Sequence, residues 1–375
     1  MSSPAVVRPD AALREPAVEP DISARPRQLA TAAISGVSSA FAQTITQAET
    51  WDRVFAEHYG HDERVRQVWH NCGVERRHHV PDPVADADLA TWGTERRMRR
   101  FQEAALELSA TAARGALADA QLETAEVDSL TIVSTTGYGM PGVDLNLARE
   151  LGLGAHTQRL HVGHMGCSGG ISGLLAAADA AAARGQRGLL VCVELASLHI
   201  QPATLNFEEV IAHALFSDAA SAVAIVPDGA GLQLIDAVST TDSDGHEMVR
   251  LDVTELGFRV GISPQIPLVL QRHVADTVTG LLERNGLTIG EVDGWAVHPG
   301  GPAILDVVAE QLDLPDTALS ASREVLRDHG HCSSATAFIV LEEVRRRNRL
   351  QRDDVVVLMA FGPGLTLNAA LLRQL

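Results

Sequence analysis

The stretch HVGHMGCSGGISGLLAAADAAAARG, residues 161–185, sets one cysteine between glycines just before a long run of small and apolar residues. That run predicts a helix, so the sulfur of Cys167 is expected at or near a helix N-terminus. Unpaired backbone N–H groups and the helix dipole favour a thiolate there. A lone cysteine is also commonly a buried structural residue. The flanking glycines leave room for a substrate and favour the interpretation of Cys167 as a nucleophile.

A second segment echoes this arrangement. The sequence GHCSS, residues 330–334, opens the helix-like run ATAFIVLEEVRRR. Each of the two segments is followed by a pair of apolar strand-like runs that are joined through Gly- or Asp-rich turns. Two similar halves indicate a duplicated fold. We expect an N-terminal half over residues 29–230, which carries the nucleophilic cysteine, and a C-terminal half over residues 231–375, which carries His298 and His331.

Short apolar runs alternate with helical repeats from about residue 29, which indicates the α/β class. The predicted strands are residues 28–37, 129–135, 188–195, 221–227, 294–299, 355–361 and 365–372. The predicted helices are residues 96–120, 171–184, 264–285, 302–312 and 335–348, where apolar residues recur at helical spacing.

The composition excludes several classes of protein. The chain has 375 residues, of which 46% are hydrophobic, enough for a large buried core. A net charge of −18 argues against nucleic-acid binding, which needs clustered Lys and Arg. No apolar run reaches membrane-spanning length, and residues 1–28, rich in Pro, Ala and charge, are expected to form a disordered leader. Four cysteines without paired spacing indicate reduced thiols and a cytoplasmic location.

Other candidate residues carry weaker signals. His298 ends a strand-like run and precedes a Gly-Pro turn, a common location for functional side chains, although a satisfied core histidine is the alternative. His331 precedes the second helix, where a histidine without a catalytic role is the alternative. His161 and His164 have a spacing that metal ligands use, but no carboxylate or cysteine pair completes a site, so no metal is expected.

Six motifs in order carry a family resemblance that extends from about residue 29 to 375. They are TTGYGMPG (135–142), GCSGG (166–170), ALFSDAASAV (214–223), WAVHPGGPAILDVV (295–308), SREVLRDHGHCSSA (322–335) and AFGPGLTLNAALLR (360–373). Together they resemble the chalcone synthase-like, or type III, polyketide synthases. The resemblance implies a thiolase-like duplicated fold of five layers, αβαβα.

The resemblance also implies roles for individual residues. Cys167 matches the acyl-accepting cysteine and His298 the histidine that activates it. Phe216 and Phe258 match two gatekeeper phenylalanines, and Met140 matches a residue that crosses a dimer interface. The remaining matches are cavity-lining positions (Thr135, Ala196, His199 and Ser333) and CoA-binding positions (Arg64, Gly300 and Ala303).

Three departures from the family pattern stand out. His331 occupies the position of the third catalytic residue, normally an asparagine, and a Cys-His-His set is similar to that of the elongating ketosynthases of fatty acid synthesis. Gln67 and Asn71 replace basic residues expected near CoA, for which Arg66, Arg76 and Arg77 are possible substitutes. His199 places an imidazole where the family usually has a small or neutral residue.

The function implied by the resemblance is decarboxylative condensation of malonyl-CoA onto a starter acyl group held on Cys167. Repetition and cyclisation to a pyrone- or resorcinol-type product are expected, in a homodimer without metal or other cofactor. One alternative is a single-round ketosynthase of the β-ketoacyl synthase III type, with an acyl carrier protein as partner. Another is a silent subunit of the same fold. The starter, the number of extensions and the mode of ring closure stay open.

Overall fold

The computed structural model describes residues 31–60, 62–81, 86–201 and 206–375. The expected leader, residues 1–28, lies outside the described residues. The strands are β1 (Ala32–Phe41), β2 (Gln43–Thr46), β3 (Arg76–His79), β4 (Ser129–Val133), β5 (Gln158–Val162), β6 (Gly188–Leu195), β7 (Asp218–Pro227), β8 (Leu232–Thr241), β9 (Val249–Thr254), β10 (Gly257–Ile262), β11 (Gly294–Val297), β12 (Val355–Gly362) and β13 (Thr366–Gln374).

The α-helices range from single turns near the N-terminus to the 26-residue α4. They are α1 (Gln47–Thr50), α2 (Ala56–Tyr59), α3 (Glu63–Asn71), α4 (Thr94–Asp119), α5 (Val143–Leu151), α6 (Gly169–Arg184), α7 (Phe207–Leu215), α8 (Ile266–Glu283), α9 (Pro302–Gln311), α10 (Ser320–His329) and α11 (Thr336–Asn348). Among the described residues, no helix is both long and apolar enough to cross a membrane.

Nine strands form one sheet in the order β11-β12-β13-β8-β1-β7-β6-β4-β5. The same pairing pattern extends from the centre in both directions. On one side β1–β7 and β7–β6 are antiparallel and β6–β4 is parallel. On the other side β8–β13 and β13–β12 are antiparallel and β12–β11 is parallel. The two halves meet where β1 pairs with β8, and this repetition supports our proposal of two domain halves that divide between β7 and β8.

Side chains of the central strands alternate between two faces. On β6, Leu189 and Val191 pack into one core with α4, whereas Leu190 and Cys192 pack into a second core with α6 and α11. On β12, Val356 also faces that second core, and Val357 faces a third core with α8 and α9. The order of layers is therefore helix, one half of the sheet, buried helix pair, the other half of the sheet, helix, which confirms the five-layered αβαβα expectation.

All of the strands and helices predicted from the sequence are present, with ends shifted by a few residues. The hydrophobic pattern did not predict the strands β2, β3, β5, β8, β9 and β10, nor the helices α1, α2, α3, α5, α7 and α10. Two contacts between elements bear on function. The N-termini of the buried helices α6 and α11 approach each other, and the hairpin of β9 and β10 packs against α7.

Candidate active site

Cys167 lies in a 3₁₀ turn, Gly166–Ser168, that leads directly into α6. Gly166 has φ +55°, and a Cβ atom there would lie 2.5 Å from Cδ of Pro363, so the turn requires glycine. The expected location of the cysteine at a helix N-terminus is confirmed. A matching turn, Ser333–Ala335, leads into α11 from the other half of the chain.

Two loops bring histidines to this turn. His298 directly follows β11, and its backbone N–H donates to the carbonyl of Met359 at 2.8 Å. The backbone of His331 bridges the loop after α7: its N–H donates to Leu215 at 2.9 Å, and its carbonyl accepts from Ser217 at 3.0 Å. Both imidazoles are buried. Main-chain hydrogen bonds thus hold both histidines beside Cys167.

The reactive atoms form a compact cluster. Sγ of Cys167 lies 3.6 Å from Nε2 of His331, and this Nε2 lies 3.0 Å from Nε2 of His298. All three side chains place a ligand-type atom within 4.8 Å of the others. The imidazole hydrogen-bonded to the sulfur is therefore that of His331, whereas the family resemblance implies His298 as the activating partner.

Ser333 determines which nitrogen of His331 carries the proton. Its backbone N–H donates to Nδ1 of His331 at 3.2 Å, in a loop where Ser333 has φ +46°. A backbone N–H only donates, so Nδ1 accepts and the proton of neutral His331 is on Nε2. His298 then presents a lone pair at Nε2 and keeps its proton on Nδ1, a buried atom without a partner among the described residues. The two Nε2 atoms therefore share one proton, and His331 is the residue that presents an N–H group at this point.

Burial determines the charge state of the cluster. It raises the pKa of the Cys167 thiol to about 12 and lowers the pKa of His331 to about 4. Burial, and secondarily the neighbouring His331, holds the pKa of His298 well below its usual range. A neutral thiol beside two neutral imidazoles follows. This charge state differs from the thiolate that a helix N-terminus favours.

Cys167, His298 and His331 are also residue types that bind metals at such distances. The hydrogen bond from Ser333 opposes this use. Metal at Nε2 of His331 would require the proton to move to Nδ1, where it would face the N–H of Ser333.

A buried carboxylate organises the surrounding loops, and sequence reasoning missed it. Glu194 on β6 accepts from the backbone N–H groups of Thr135 and Thr136, each 3.1 Å away, and from Oγ of Ser334 at 2.6 Å. Oγ of Ser333 lies 3.4 Å from the same carboxylate and 3.8 Å from the sulfur of Cys167. The available signal was one acidic residue inside the buried apolar strand GLLVCVEL.

Two cavities meet at Cys167 and Phe216, which line both. The first has a volume of about 240 Å³, and its walls include all but one of the residues expected around a substrate cavity. These are Thr135, Ala196, His199, Phe216, Phe258 and Ser333. The exception is Met140, which is 89% exposed and lines neither cavity of its own subunit.

The second cavity, of about 310 Å³, is lined by His298, His331, Gly300 and Ala303. Helix α3 closes one side of it through Val68 and Asn71. Arg64 lies one turn before Val68 on this helix, at the surface, where it pairs with Asp62 at 2.9 Å. Arg64 itself does not line the cavity.

One suggested CoA contact is wrong. Arg77 is almost completely buried and donates to the carbonyl groups of His213, Ala214 and Phe216 at the C-terminal end of α7. It stabilises this helix end, and its guanidinium is committed to these carbonyl groups rather than to a phosphate. Arg76 lies at the surface and pairs with Asp328 at 2.6 Å.

The imidazole of His199 joins two backbone segments of the cavity wall, and we call this arrangement the His199 clamp. Its Nε2 lies 2.6 Å from the carbonyl oxygen of Thr136, and its Nδ1 accepts from the backbone N–H of Phe258 at 3.0 Å. The ring stacks on Phe258 with centroids 4.6 Å apart. Both nitrogens are therefore occupied in holding one gatekeeper position against the loop after β4.

Comparisons with known proteins agree with this geometry. Residues 73–229 match the chalcone and stilbene synthase N-terminal domain, and residues 233–375 match the C-terminal domain. An alpha-pyrone synthesis polyketide synthase-like protein, Pks18 of Mycobacterium tuberculosis, is 30% identical over 88% of this chain and 87% of its own. A 1,3,6,8-tetrahydroxynaphthalene synthase of Streptomyces peucetius is 32% identical over 82% of this chain and 83% of its own.

Solved structures give the same result. PKS-I from the brown alga Ectocarpus siliculosus superposes with a TM-score of 0.86 and 26% identity over 93% of this chain and 100% of that one. A type III pentaketide synthase from Neurospora crassa superposes with a TM-score of 0.83 and 25% identity over 92% of this chain and 100% of that one. The chain therefore belongs to the chalcone and stilbene synthase family, the type III polyketide synthases.

Proposed function

We propose that this enzyme condenses malonyl-CoA, with loss of CO₂, onto a starter acyl group carried as a thioester on Cys167. The location of Cys167 where two cavities meet is the observation that carries this proposal. A CoA thioester extends through the cavity of Gly300 and Ala303, and the acyl chain occupies the cavity of Thr135 and His199. The gap beside Phe216 joins the two.

The chemistry needs a donor for the enolate that forms when malonyl-CoA loses CO₂. His331 supplies one, because its proton is on Nε2 and points to the centre of the cluster. It thereby replaces the amide donor of the usual asparagine. Loss of one such donor typically costs ~10²–10³ in rate. The carbanion then attacks the Cys167 thioester, and the chain grows by one ketide unit.

We propose repeated extension and cyclisation to a pyrone- or resorcinol-type product. The support is the cavity beyond Phe216, which gives a growing chain room on the far side of Cys167. The names of two relatives, an alpha-pyrone synthesis protein and a tetrahydroxynaphthalene synthase, describe cyclic products.

We also propose that the enzyme is a cytoplasmic homodimer that uses no metal or other cofactor. Four free cysteines support the reducing compartment. Exposed apolar side chains near the edge strand β5 support self-association. They are Tyr138, Met140, Leu160 and Met165, and the exposure of Met140 supports a contact of this side chain with a partner's cavity.

A carrier protein is a less favoured acyl donor. The basic candidates for docking it are the Arg-rich segments 95–100 and 345–349, and several of their arginines already have partners within the chain: Arg97 is buried, Arg99 pairs with Glu95, and Arg346 pairs with Glu343. This leaves little basic surface for an acidic carrier.

The test supplies purified enzyme with labelled malonyl-CoA and a panel of acyl-CoA starters, with malonyl-carrier protein in parallel. We expect CoA-dependent products that contain two or more malonyl-derived units. Products with a single extension, made only from the carrier-bound donor, would overturn the proposal in favour of the single-round ketosynthase. The absence of any product and of CO₂ release would favour the silent subunit.

A further inference from the structure

We propose that Arg259 and Gln201 form a hydrogen-bond donor site in the first cavity, and that this site binds the keto oxygens of the growing polyketide chain. The inference rests on the proposed function, because repeated extension creates the ligand. Each malonyl-derived unit adds one ketone to the chain on Cys167, and a ketone oxygen accepts hydrogen bonds. The site therefore acts on extended intermediates and not on an aliphatic starter.

Buried donors without acceptors are concentrated along this cavity. Among the described residues, Nε of Arg250, Nε of Arg259 and Nε2 of Gln201 have no hydrogen-bond partner, and all three residues line the first cavity. Most buried N–H groups in folded proteins are paired, so three unpaired donors on one wall call for an explanation. An acceptor that enters the cavity offers these groups a partner that the described residues do not supply.

Gln201 and Glu209, both almost completely buried, hold the guanidinium of Arg259 in the wall. Nη2 of Arg259 donates to Oε1 of Gln201 at 3.2 Å, and its Nε lies 3.3 Å from Oε1 of Glu209 on α7. Because Oε1 of Gln201 accepts this bond, the amide nitrogen is the end of the side chain without a partner. The side chain of Arg259 is still 40% exposed, so a chain in the cavity is able to contact it.

The charges in this wall favour an uncharged acceptor. Arg250 pairs with Glu208 at 2.8 Å. Arg259 lies close to Glu209, so each guanidinium already faces a carboxylate. A second carboxylate, at the end of an acyl chain, would be repelled by the two glutamates. A ketone oxygen accepts from the arginines without this repulsion, whereas an aliphatic chain offers them no acceptor.

The donor site lies where an extended chain has to go. Arg259 directly follows Phe258, the expected gatekeeper, on β10, and both residues line the cavity that contains Cys167. Each extension moves the older ketones away from Cys167 and farther into this cavity. Donors in the wall hold the intermediate there while the next malonyl-CoA enters the second cavity. The site thereby raises the number of extensions that are completed before release.

The test measures how the chain divides between one extension and several. Wild type, Arg259→Met and Gln201→Glu receive hexanoyl-CoA and labelled malonyl-CoA, and the products are counted by mass. Arg259→Met removes the guanidinium at similar length, and Gln201→Glu keeps an acceptor for Arg259 but removes the amide donor. In both variants, we expect the ratio of products with two or more extensions to products with one to fall about fivefold. Acylation of Cys167 by hexanoyl-CoA should keep its wild-type rate, because this starter has no ketone.

Arg272→Met is the matched control, since Arg272 pairs with Asp242 at the surface and lines neither cavity. Arg259→Lys keeps a charge beside Glu209 and should recover part of the ratio, which a purely structural role does not predict. An unchanged ratio in Gln201→Glu and Arg259→Met would overturn the donor site alone, and Gln201→Glu decides if Arg259→Met fails to fold. Slower acylation in the variants would also overturn it, by placing the starter at this wall. Wild type that makes no product with two extensions would instead contradict the iterative function and the donor site together.

Discussion

The Nε2 atoms of His298 and His331 lie 3.0 Å apart, and the backbone N–H of Ser333 leaves the shared proton on His331. An asparagine in place of His331 presents an amide donor with a fixed charge. The imidazole presents a donor that titrates, and it contacts both the sulfur of Cys167 and the ring of His298. We therefore expect the departure from the usual family residue to change the pH dependence of the site.

The first prediction compares wild type with His331→Asn. Burial lowers the pKa of His331 to about 4. Protonation would place a second N–H at Nδ1 against Ser333, so wild-type activity should fall as pH drops through about 4. The amide of the variant does not titrate there, and its acid limb should be shallower. Release of labelled CO₂ from malonyl-CoA, in assays short enough to retain folded protein, gives both profiles; superimposable curves would contradict the prediction.

The second prediction concerns the clamp formed by His199. His199→Ala removes the partners of the Thr136 carbonyl and the Phe258 amide. The free energy of unfolding should fall by about 2–4 kcal/mol. Because Phe258 loses its stacking partner, the product distribution should shift toward larger starters or longer chains. Urea unfolding and product mass spectra measure both effects, with His246→Ala, at an exposed position, as control. An unchanged product distribution would mean that His199 only supports the fold.

The third prediction is that stability falls as the pH is lowered from about 7 to about 4.5. Histidines that are buried and neutral in the folded protein take up protons when it unfolds, so the unfolded state binds more protons in this range. Each contributes a loss of about 1.4 kcal/mol per pH unit below its unfolded pKa of 6.5. The six with lowered pKa values are His78, His79, His199, His298, His329 and His331.

Two buried carboxyls act in the opposite direction. Burial raises the pKa values of Asp218 (to about 6) and Glu194, so these groups bind protons more readily in the folded state. The histidines outnumber these carboxyls, so the free energy of unfolding should still fall as the pH is lowered. Urea midpoints measured at pH 7.0 and 5.0 test the sign. A midpoint that is constant or higher at pH 5.0 would show that these imidazoles are accessible to protons in the folded protein.

The hydrophobic pattern predicted the strands that are apolar on both faces, such as β6 and β12. It failed for β8, where Asp236 interrupts the run. This carboxylate is buried, and it is satisfied by Arg284 at 2.6 Å and by Asn285 at 2.8 Å, both from the end of α8. Because these partners are distant in the chain, the sequence around Asp236 gives no sign that its charge is compensated. The hydrophobic pattern therefore indicates a polar loop instead of a strand.

The sequence likewise predicted one part of the site and not the other. Cys167 was recognisable from its glycines and the helix that follows, and the family motifs placed His298 and His331. Their hydrogen-bond order was not predictable, because it depends on the left-handed backbone of Ser333 and on the approach of two loops from opposite halves. Glu194 was missed for a related reason: its donors come from Thr135, Thr136 and Ser334, which are far apart in sequence.

The most direct test of the central claim, that Cys167 carries the growing chain, is intact-protein mass spectrometry in a pulse and chase. Wild type and Cys167→Ala receive an acyl-CoA alone, and malonyl-CoA follows. We predict one acyl adduct, mapped to Cys167 and absent from the variant, that leaves the wild-type protein during the chase as an extended product. An adduct that maps to Cys72 or Cys332, or extended product formed by Cys167→Ala, would contradict the account.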